Sequence, residues 1–170
     1  MPRQLLRDRA IVADDWLYVA ELATASGAPQ APGDWPPRVI LGLDQWRAER
    51  DGWIARGLHL GVELLPEHKV EQLAADLEYL SLVACSFSGP SEGRGYTQGR
   101  LLRERYDFQG ELRATGYVRT DQLFFLARCG FNSFELADYD IAVADAAFST
   151  FTAAYQPAND GGLALKLQHP

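Results

Sequence analysis

The chain has 170 residues, 47% of them apolar, which suits one domain with a sizeable core and argues against disorder. Its net charge of −7 argues against general nucleic-acid binding. No apolar run is long enough to cross a membrane, and charges interrupt the N-terminus where a signal peptide needs an apolar segment. Because Cys85 and Cys129 are the only cysteines, a disulfide framework is not indicated, and we expect one cytoplasmic domain spanning residues 1–170.

The N-terminal part of the chain predicts a hairpin followed by a loop. Two short apolar runs flank Asp14 and Asp15 within residues 10–20, a pattern that indicates a short β-hairpin. Residues 24–38 are rich in proline, glycine and alanine. Because proline cannot donate a ladder hydrogen bond, this segment predicts an exposed loop.

Strands and helices alternate from residue 39 to residue 155. The predicted strands are residues 39–43, 60–65, 80–87, 111–115 and 132–136. The predicted helices are residues 44–56, 67–78, 96–106, 120–129 and 140–155, and residues 156–170 form a loose tail. Alternation with short connections predicts an α/β fold with a mainly parallel sheet, joined by right-handed crossovers. The sheet is either open or part of a barrel, because a complete barrel needs about 250 residues.

Several residues mark where the helices begin, end and face the core. Gly57 and Gly130 are typical stop residues, since glycine accepts a left-handed conformation, and Thr120 is a plausible N-cap. Trp46, Trp53 and Ile54 are expected to turn inward from the helix 44–56. The inward positions expected for the helix 67–78 are Val70, Leu73, Ala74 and Leu77.

The positive charge of the chain is concentrated in residues 94–128. This segment carries seven arginines and four acids, a net charge of +3, so the remainder carries −10. A basic patch on an acidic protein favours a small anion or an acidic partner. The alternative is a solvated arginine face with local ion pairs.

The loop Ser88–Gly95 is the sharpest candidate site. It ends at a helix N-terminus, where free backbone N–H groups favour an anion and Arg94 could add a bidentate contact. The predicted anion-binding residues are Ser88, Arg94, Gly95, Tyr96 and Arg113. The alternative is an ordinary strand–helix loop whose glycines only turn the chain.

Other polar residues lie within the strands or at their carboxyl ends, where ligands gather in parallel sheets. The candidates at strand ends are Ser86, Ser88, Thr115, Gly116, Tyr117 and Asp138. Within the strands, Arg113 is expected to pair with a carboxylate of Glu63, Glu111 or Glu135, since a buried charge is costly alone. For this pair we favour a structural role over a catalytic one.

Signatures of cofactors and metals are missing from the sequence. Gly93, Gly95 and Gly99 are spaced one residue too widely for a dinucleotide fingerprint, and no Walker lysine follows. The three histidines are scattered, so no metal-ligand spacing is recognisable. Cys129 would lie at a helix C-terminus, where the dipole disfavours a thiolate. We therefore expect neither a redox cofactor nor a metal, and a colourless protein.

Residues 93–136, which read GRGYTQGRLLRERYDFQGELRATGYVRTDQLFFLARCGFNSFEL, resemble the bacterial family known as domain of unknown function (DUF) 934. Weaker similarity reaches back to GVELLP at residues 61–66. The chain departs from the family pattern at Glu92 and Tyr117, where the family tends to have aspartate. If either aspartate is catalytic in the family, this member is altered there.

The resemblance implies a link to sulfite reduction, because such proteins are commonly described as probable oxidoreductases of that process. We therefore expect an accessory factor of assimilatory sulfite reduction that binds a small oxyanion or sulfite reductase itself. One alternative is a small α/β enzyme acting on an anionic metabolite, and the sequence leaves open whether the protein is an enzyme. A second alternative is a non-catalytic dimeric interaction module. Under every one of these functions we predict homodimerisation through residues 120–129, where apolar surface is offered by Leu123, Phe124, Phe125 and Leu126.

Overall fold

The computed structural model describes residues 4–24, 35–136 and 144. Most of the predicted loop at 24–38, Asp138, the tail, and the predicted helix at 140–155 apart from Ala144 lie outside this range. Eight strands form one sheet: β1 (Gln4–Arg7), β2 (Ala10–Ala13), β3 (Leu17–Tyr18), β4 (Arg38–Gly42), β5 (His59–Leu64), β6 (Leu82–Phe87), β7 (Glu111–Gly116) and β8 (Ser133–Phe134). The α-helices are α1 (Val19–Thr24), α2 (Leu43–Ile54), α3 (Arg94–Glu104) and α4 (Leu123–Arg128).

The sheet is mostly parallel, as the alternation of strands and helices predicts. Its order is β2-β1-β8-β7-β6-β5-β4-β3. Strands β3 to β8 pair in parallel, whereas β1 is antiparallel to both β2 and β8. The structure therefore confirms the α/β class, and β3 adds a sixth parallel strand to the five expected.

The N-terminal hairpin exists, but it lies earlier in the chain than predicted. Its strands are β1 and β2, and its turn is formed by Asp8 and Arg9, both at positive φ. Asp14 and Asp15 instead follow β2 and lead into β3. The prediction missed β1 because charged residues surround its short apolar pair, Leu5 and Leu6.

The connection between β2 and β3 shows how strongly the sheet curls. Only residues Asp14–Trp16 join β2, at one edge of the sheet, to β3, at the other edge. Such a link spans at most about 14 Å, whereas eight flat strands at about 4.8 Å spacing would separate the edges by roughly 34 Å. The sheet must therefore curl into an open half-barrel, with an inner face that the link crosses.

The outer face of the sheet carries the main hydrophobic core. Alternate strand residues on this face are buried, among them Val39, Val62, Val83, Leu112 and Phe134. The helices cover them with side chains that include Trp46, Trp53, Leu102, Leu123 and Leu126. Trp46 and Trp53 are almost fully buried and Ile54 is half-buried, as expected for the helix that became α2.

The inner face is smaller and mixes apolar with polar residues. Trp16, from the link between the sheet edges, packs on Ile40, Leu82 and Ala84 as a second hydrophobic cluster. The strand residues that alternate with the outer core, including Glu63, Ser86, Arg113 and Thr115, lie on this face. Polar side chains of three neighbouring strands therefore share the inside of the curl.

Two predicted helices have a different form in the structure. Residues 67–78 contain two 3₁₀ helices, Val70–Gln72 and Ala74–Tyr79, which meet at Leu73 instead of continuing as one α-helix. Tertiary contacts hold the second one, since the Trp46 indole donates to Asp76 at 2.9 Å. Likewise the segment at 120 begins as a 3₁₀ helix, Thr120–Gln122, whose N-cap is Arg119 rather than Thr120.

Helix α4 offers less free apolar surface than the dimer hypothesis assumed. Leu123, Phe124 and Leu126 are buried within the chain, and only Phe125 is exposed, by 54%. Because the core already covers three of the four side chains, they cannot meet a partner. Homodimerisation through this segment stays a prediction that now rests on Phe125.

Candidate functional site

The loop Ser88–Gly95 connects β6 to α3, as predicted, and brings four of the five proposed anion ligands into one segment. Ser88 and Arg94 are exposed, whereas Gly95 is buried and Tyr96 is half-buried. Arg113 lies elsewhere, on the inner face of the sheet. The loop therefore has one exposed guanidinium at the start of an eleven-residue helix.

Glu92 occupies the donors that an external anion would use. Its carboxylate accepts hydrogen bonds from the Arg94 backbone N–H at 3.0 Å and from the guanidinium at 2.9 and 2.8 Å. The Ser88 hydroxyl donates to the same carboxylate at 3.3 Å. The Arg94 side-chain hydrogen bonds, with help from its backbone, lower the pKa of Glu92 to about 2. An anion arriving here would have to displace Glu92.

Gly95 and Tyr96 pack the start of α3 against the end of β6. A Cβ atom on Gly95 would lie 2.4 Å from the Phe87 ring, so the missing side chain lets the helix approach β6 closely. Tyr96 contacts the same ring edge-on, with centroids 5.3 Å apart. Burial raises the pKa of the Tyr96 phenol. These contacts fix the helix N-terminus against the end of β6.

Arg113 belongs to a buried ion-pair network on the inner face. It is 0% exposed, and its guanidinium donates to Asp14 at 3.0 and 3.1 Å and to Glu111 at 3.0 and 2.9 Å. Arg7 adds a contact to Glu111 at 3.4 Å. Desolvation lowers the pKa of Arg113, but Glu111 and Asp14 outweigh it, so the net shift is upward. Glu111 was an expected partner, whereas Asp14 was not.

Polar residues from several elements meet at the carboxyl-terminal edge of the inner face. The Thr115 hydroxyl of β7 donates to Glu63 of β5 at 3.1 Å, across the intervening strand β6. Ser86 of β6 lies beside Thr115 in register. Burial raises the pKa of Glu63, and the nearby charges of Glu135 and Glu21 raise it further. Thr115 and His68 oppose the rise, but they do not cancel it.

This inner-edge site, which we define as Glu63, Ser86, Thr115 and Glu135, was only partly visible in the sequence. Its members were recognised as polar residues at strand ends or inside strands. The sequence did not show that Glu63 and Thr115 touch. They lie on different strands, β5 and β7, and β6 lies between these strands in the sheet. The available signal was the polar residue near the end of each buried strand.

A groove of about 320 Å³ lies on the outer side of the molecule, between α3 and the segment that follows β5. Its lining includes Pro66, Lys69, Val70, Arg94 and Gln98. The Gln98 amide donates to the backbone carbonyls of Leu65 and His68, both at 2.9 Å, and so holds this segment against α3. The groove runs beside the exposed guanidinium of Arg94.

Neither cysteine has the surroundings of a reactive nucleophile. Cys85 is fully buried in β6, and burial strongly raises the pKa of its thiol. Burial also raises the pKa of Cys129, at the end of α4. Among the described residues no group of His, Cys, Asp and Glu is arranged to hold a metal ion. Within the same residues no helix is long and apolar enough to cross a membrane.

Comparison with known proteins gives a family but no function. Residues 61–165 match a family model described as "Bacterial protein of unknown function (DUF934)". This match covers more than half of the chain and confirms the assignment suggested by residues 93–136. No curated protein matches the chain.

Proposed function

We propose that the chain, which belongs to the DUF934 family of bacterial proteins of unknown function, is a small α/β enzyme that uses Glu63 as a general acid and base. One observation carries this proposal: a half-buried carboxyl group with a raised pKa lies at the carboxyl ends of parallel strands. Strand ends of this kind hold the reactive groups of α/β enzymes. A carboxyl group whose pKa is raised toward neutrality can both accept and return a proton.

The charges around Glu63 indicate what the substrate carries at its reacting end. Among the described residues, Glu135 and Glu21 act on Glu63 as negative neighbours, and His68 acts on it as a basic group. An anionic group placed there would be repelled by these carboxylates. We therefore favour a hydroxyl or amine compound that is neutral or cationic at its reacting end over the anionic metabolite that the sequence offered as an alternative.

The test is a ligand screen with matched variants. Neutral and cationic hydroxy and amino compounds, together with carboxylates and phosphates, are screened by the melting temperature of the wild-type protein. A compound that binds at the inner-edge site should lose about ten- to a hundredfold in affinity for Glu63→Gln, because a hydrogen bond to a charged group contributes roughly 1.5–3 kcal/mol. Glu67→Gln is the control, since Glu67 is exposed in the segment after β5. Hits restricted to anions, or equal binding to Glu63→Gln, would remove the proposal.

A second candidate function is the accessory role in sulfite reduction, with an oxyanion or sulfite reductase as the partner. The observation that favours it is the Arg94 side chain, which is 63% exposed at the start of α3. Lys69 lines the same groove and is exposed. An oxyanion would exchange with the Glu92 carboxylate on the guanidinium and the Arg94 backbone N–H.

This second function predicts opposite effects on anion binding when Glu92 and Arg94 are substituted. Calorimetric titration with sulfite, sulfate and phosphate should show tighter binding to Glu92→Gln, which removes the competing charge, and weaker binding to Arg94→Ala. Co-purification with sulfite reductase, together with a change in its turnover, tests the protein partner. Absence of binding to every one of these anions at millimolar concentration would leave Glu92 and Arg94 as a local ion pair.

A further inference from the structure

Thr115 is almost fully buried, at 3% exposure, yet its hydroxyl has a partner outside its own strand. It donates to Oε1 of Glu63 at 3.1 Å. The contact crosses β6, where the inner-face positions beside it are the small residues Ala84 and Ser86. Strands are about 4.8 Å apart, so the curl of the sheet and these small side chains together let residues of β5 and β7 touch.

The hydrogen bond divides the two oxygens of Glu63 into different roles. Oε1 accepts from Thr115, and Oε2 has no hydrogen-bond partner within the part of the chain that the structure describes. A threonine hydroxyl on a strand is held in few orientations, because the β-branched side chain restricts χ1. When Glu63 is protonated, Oε1 remains the carbonyl oxygen that accepts from Thr115, so the proton belongs on Oε2.

We propose that Thr115 is the positioning residue of the inner-edge site, fixing the Glu63 carboxyl group so that Oε2 is the oxygen that exchanges a proton with the substrate. This inference rests on the proposed function of Glu63. In the base form Oε2 takes a proton from a substrate O–H or N–H, and in the acid form the same oxygen returns it. No bond to Oε1 changes in either direction, since Thr115 occupies that oxygen throughout.

The charged groups around Glu63 determine how removal of the Thr115 hydroxyl would change the titration of Glu63. Glu135, Glu21 and the Cys85 thiol stand near it as acidic groups, and His68 is the basic group. Arg113 lies on the same face, but Asp14 and Glu111 hold its guanidinium. Because Thr115 stabilises the carboxylate form, removing its hydroxyl should favour protonation of Glu63.

The experiment compares Thr115→Val, which removes the donor and keeps the shape, with Thr115→Ser, which keeps the donor. Glutamate labelled with ¹³C at the carboxyl carbon is titrated in the whole protein, and the Glu63 signal is assigned by its loss in Glu63→Gln. We expect the midpoint of Glu63 to move upward in Thr115→Val and to stay near the wild-type value in Thr115→Ser. A merely structural role would lower the melting temperature of both variants and leave the midpoint in place.

The outcomes separate the inference from the proposed function. If Glu63 in the wild-type protein titrates at the ordinary value of a glutamate, about 4.3, the acid–base proposal itself is wrong. A raised wild-type midpoint that Thr115→Val leaves unmoved would overturn the positioning role alone. Thr115→Ala provides the same loss of the donor if the valine variant does not fold, and an unmoved midpoint there has the same meaning.

Discussion

Glu63 is half-buried on the inner face, and this partial loss of water acts mainly on its charged form. Burial raises its pKa, and the carboxylates of Glu135 and Glu21 add to the shift. A carboxyl group with a raised pKa in the folded state binds its proton more tightly there than in the unfolded chain. Its contribution to stability is therefore most favourable below the unfolded pKa and is lost as pH rises through the folded pKa.

This sign predicts that Glu63→Gln stabilises the protein at alkaline pH. The amide stays uncharged and can still accept from Thr115, so the cost of burying a charge disappears. Urea unfolding should show the variant more stable than wild type at about pH 8 and closer to it at about pH 4, below the usual glutamate pKa. Glu67→Gln, at an exposed position, should show no such trend. A Glu63→Gln protein that is less stable than wild type at the higher pH would contradict the charge argument.

Glu92 illustrates the opposite shift. Hydrogen bonds from Arg94 hold its pKa near 2, so the stabilising contact is present above the ordinary glutamate pKa and is lost as pH falls through about 2. We predict an NMR titration midpoint near this value in the wild-type protein and a higher midpoint in Arg94→Ala. Arg100→Ala is the matched control, because Arg100 is an exposed arginine of the same helix that pairs with Glu104 instead. A midpoint that Arg94→Ala does not change would show that the contact is not formed in solution.

Among the elements, α3 is held by close glycine contacts at its start and in its middle, and by hydrogen bonds of Arg103 at its end. At its start Gly95 lies against the Phe87 ring, and in its middle Gly99 lies against the Phe131 ring. At its end Arg103 donates to the backbone carbonyls of Phe108, Gly110 and Gly130. The helix therefore joins the end of β6 to the starts of β7 and β8.

The close approach at Gly95 predicts a large effect from one methyl group. Alanine at a helical position is normally favourable relative to glycine by about 1 kcal/mol. In Gly95→Ala the new Cβ would lie 2.4 Å from the Phe87 ring, and we expect a net loss of about 1–3 kcal/mol from overpacking. Gly93→Ala is the matched control, because nothing lies within 4 Å of its Cβ position. Equal unfolding free energies of the two variants would show that the helix can move away at no cost.

At the scale of the whole molecule, Arg113 ties the link between the two sheet edges to the centre of the sheet. The guanidinium is 0% exposed and Asp14, in the link, is 1% exposed. The two residues are 99 positions apart in the chain. The ion pair therefore joins the N-terminal crossing segment to β7 and closes one end of the inner face.

Removal of this arginine should be far more costly than removal of an exposed one. Arg113→Ala leaves Asp14 and Glu111 buried without their partner, and we expect a loss of about 3–5 kcal/mol in urea unfolding. Arg38→Ala is the control, since Arg38 pairs with Asp15 of the same link at the surface, and an exposed pair contributes at most about 1 kcal/mol. Similar losses for the two variants would mean that the inner network contributes little.

Local sequence patterns were enough to predict the class of fold and the places where helices stop. Strands buried in a parallel sheet read as nearly continuous apolar runs, and this is why β4, β5 and β6 were found close to their true bounds. Gly57 and Gly130 do adopt positive φ, because only glycine enters that region without a steric cost. The loop before α3 was located for the same local reason, since its turn residues are adjacent in the chain.

How those local elements come together depends on contacts between residues that are distant in the chain. The pairing of Arg113 with Asp14 and of Thr115 with Glu63 joins residues that are 99 and 52 positions apart. No periodic pattern encodes such contacts, because they depend on the curl of the sheet and on which strand lies between two others. The residues 67–78 kept their helical pattern of apolar positions but formed 3₁₀ turns, since contacts of Asp76 with α2 outweigh a weak local preference. Local chemistry thus sets where most helices and strands of this protein lie, whereas long-range packing raises the pKa of Glu63 and sets the partners of Arg113.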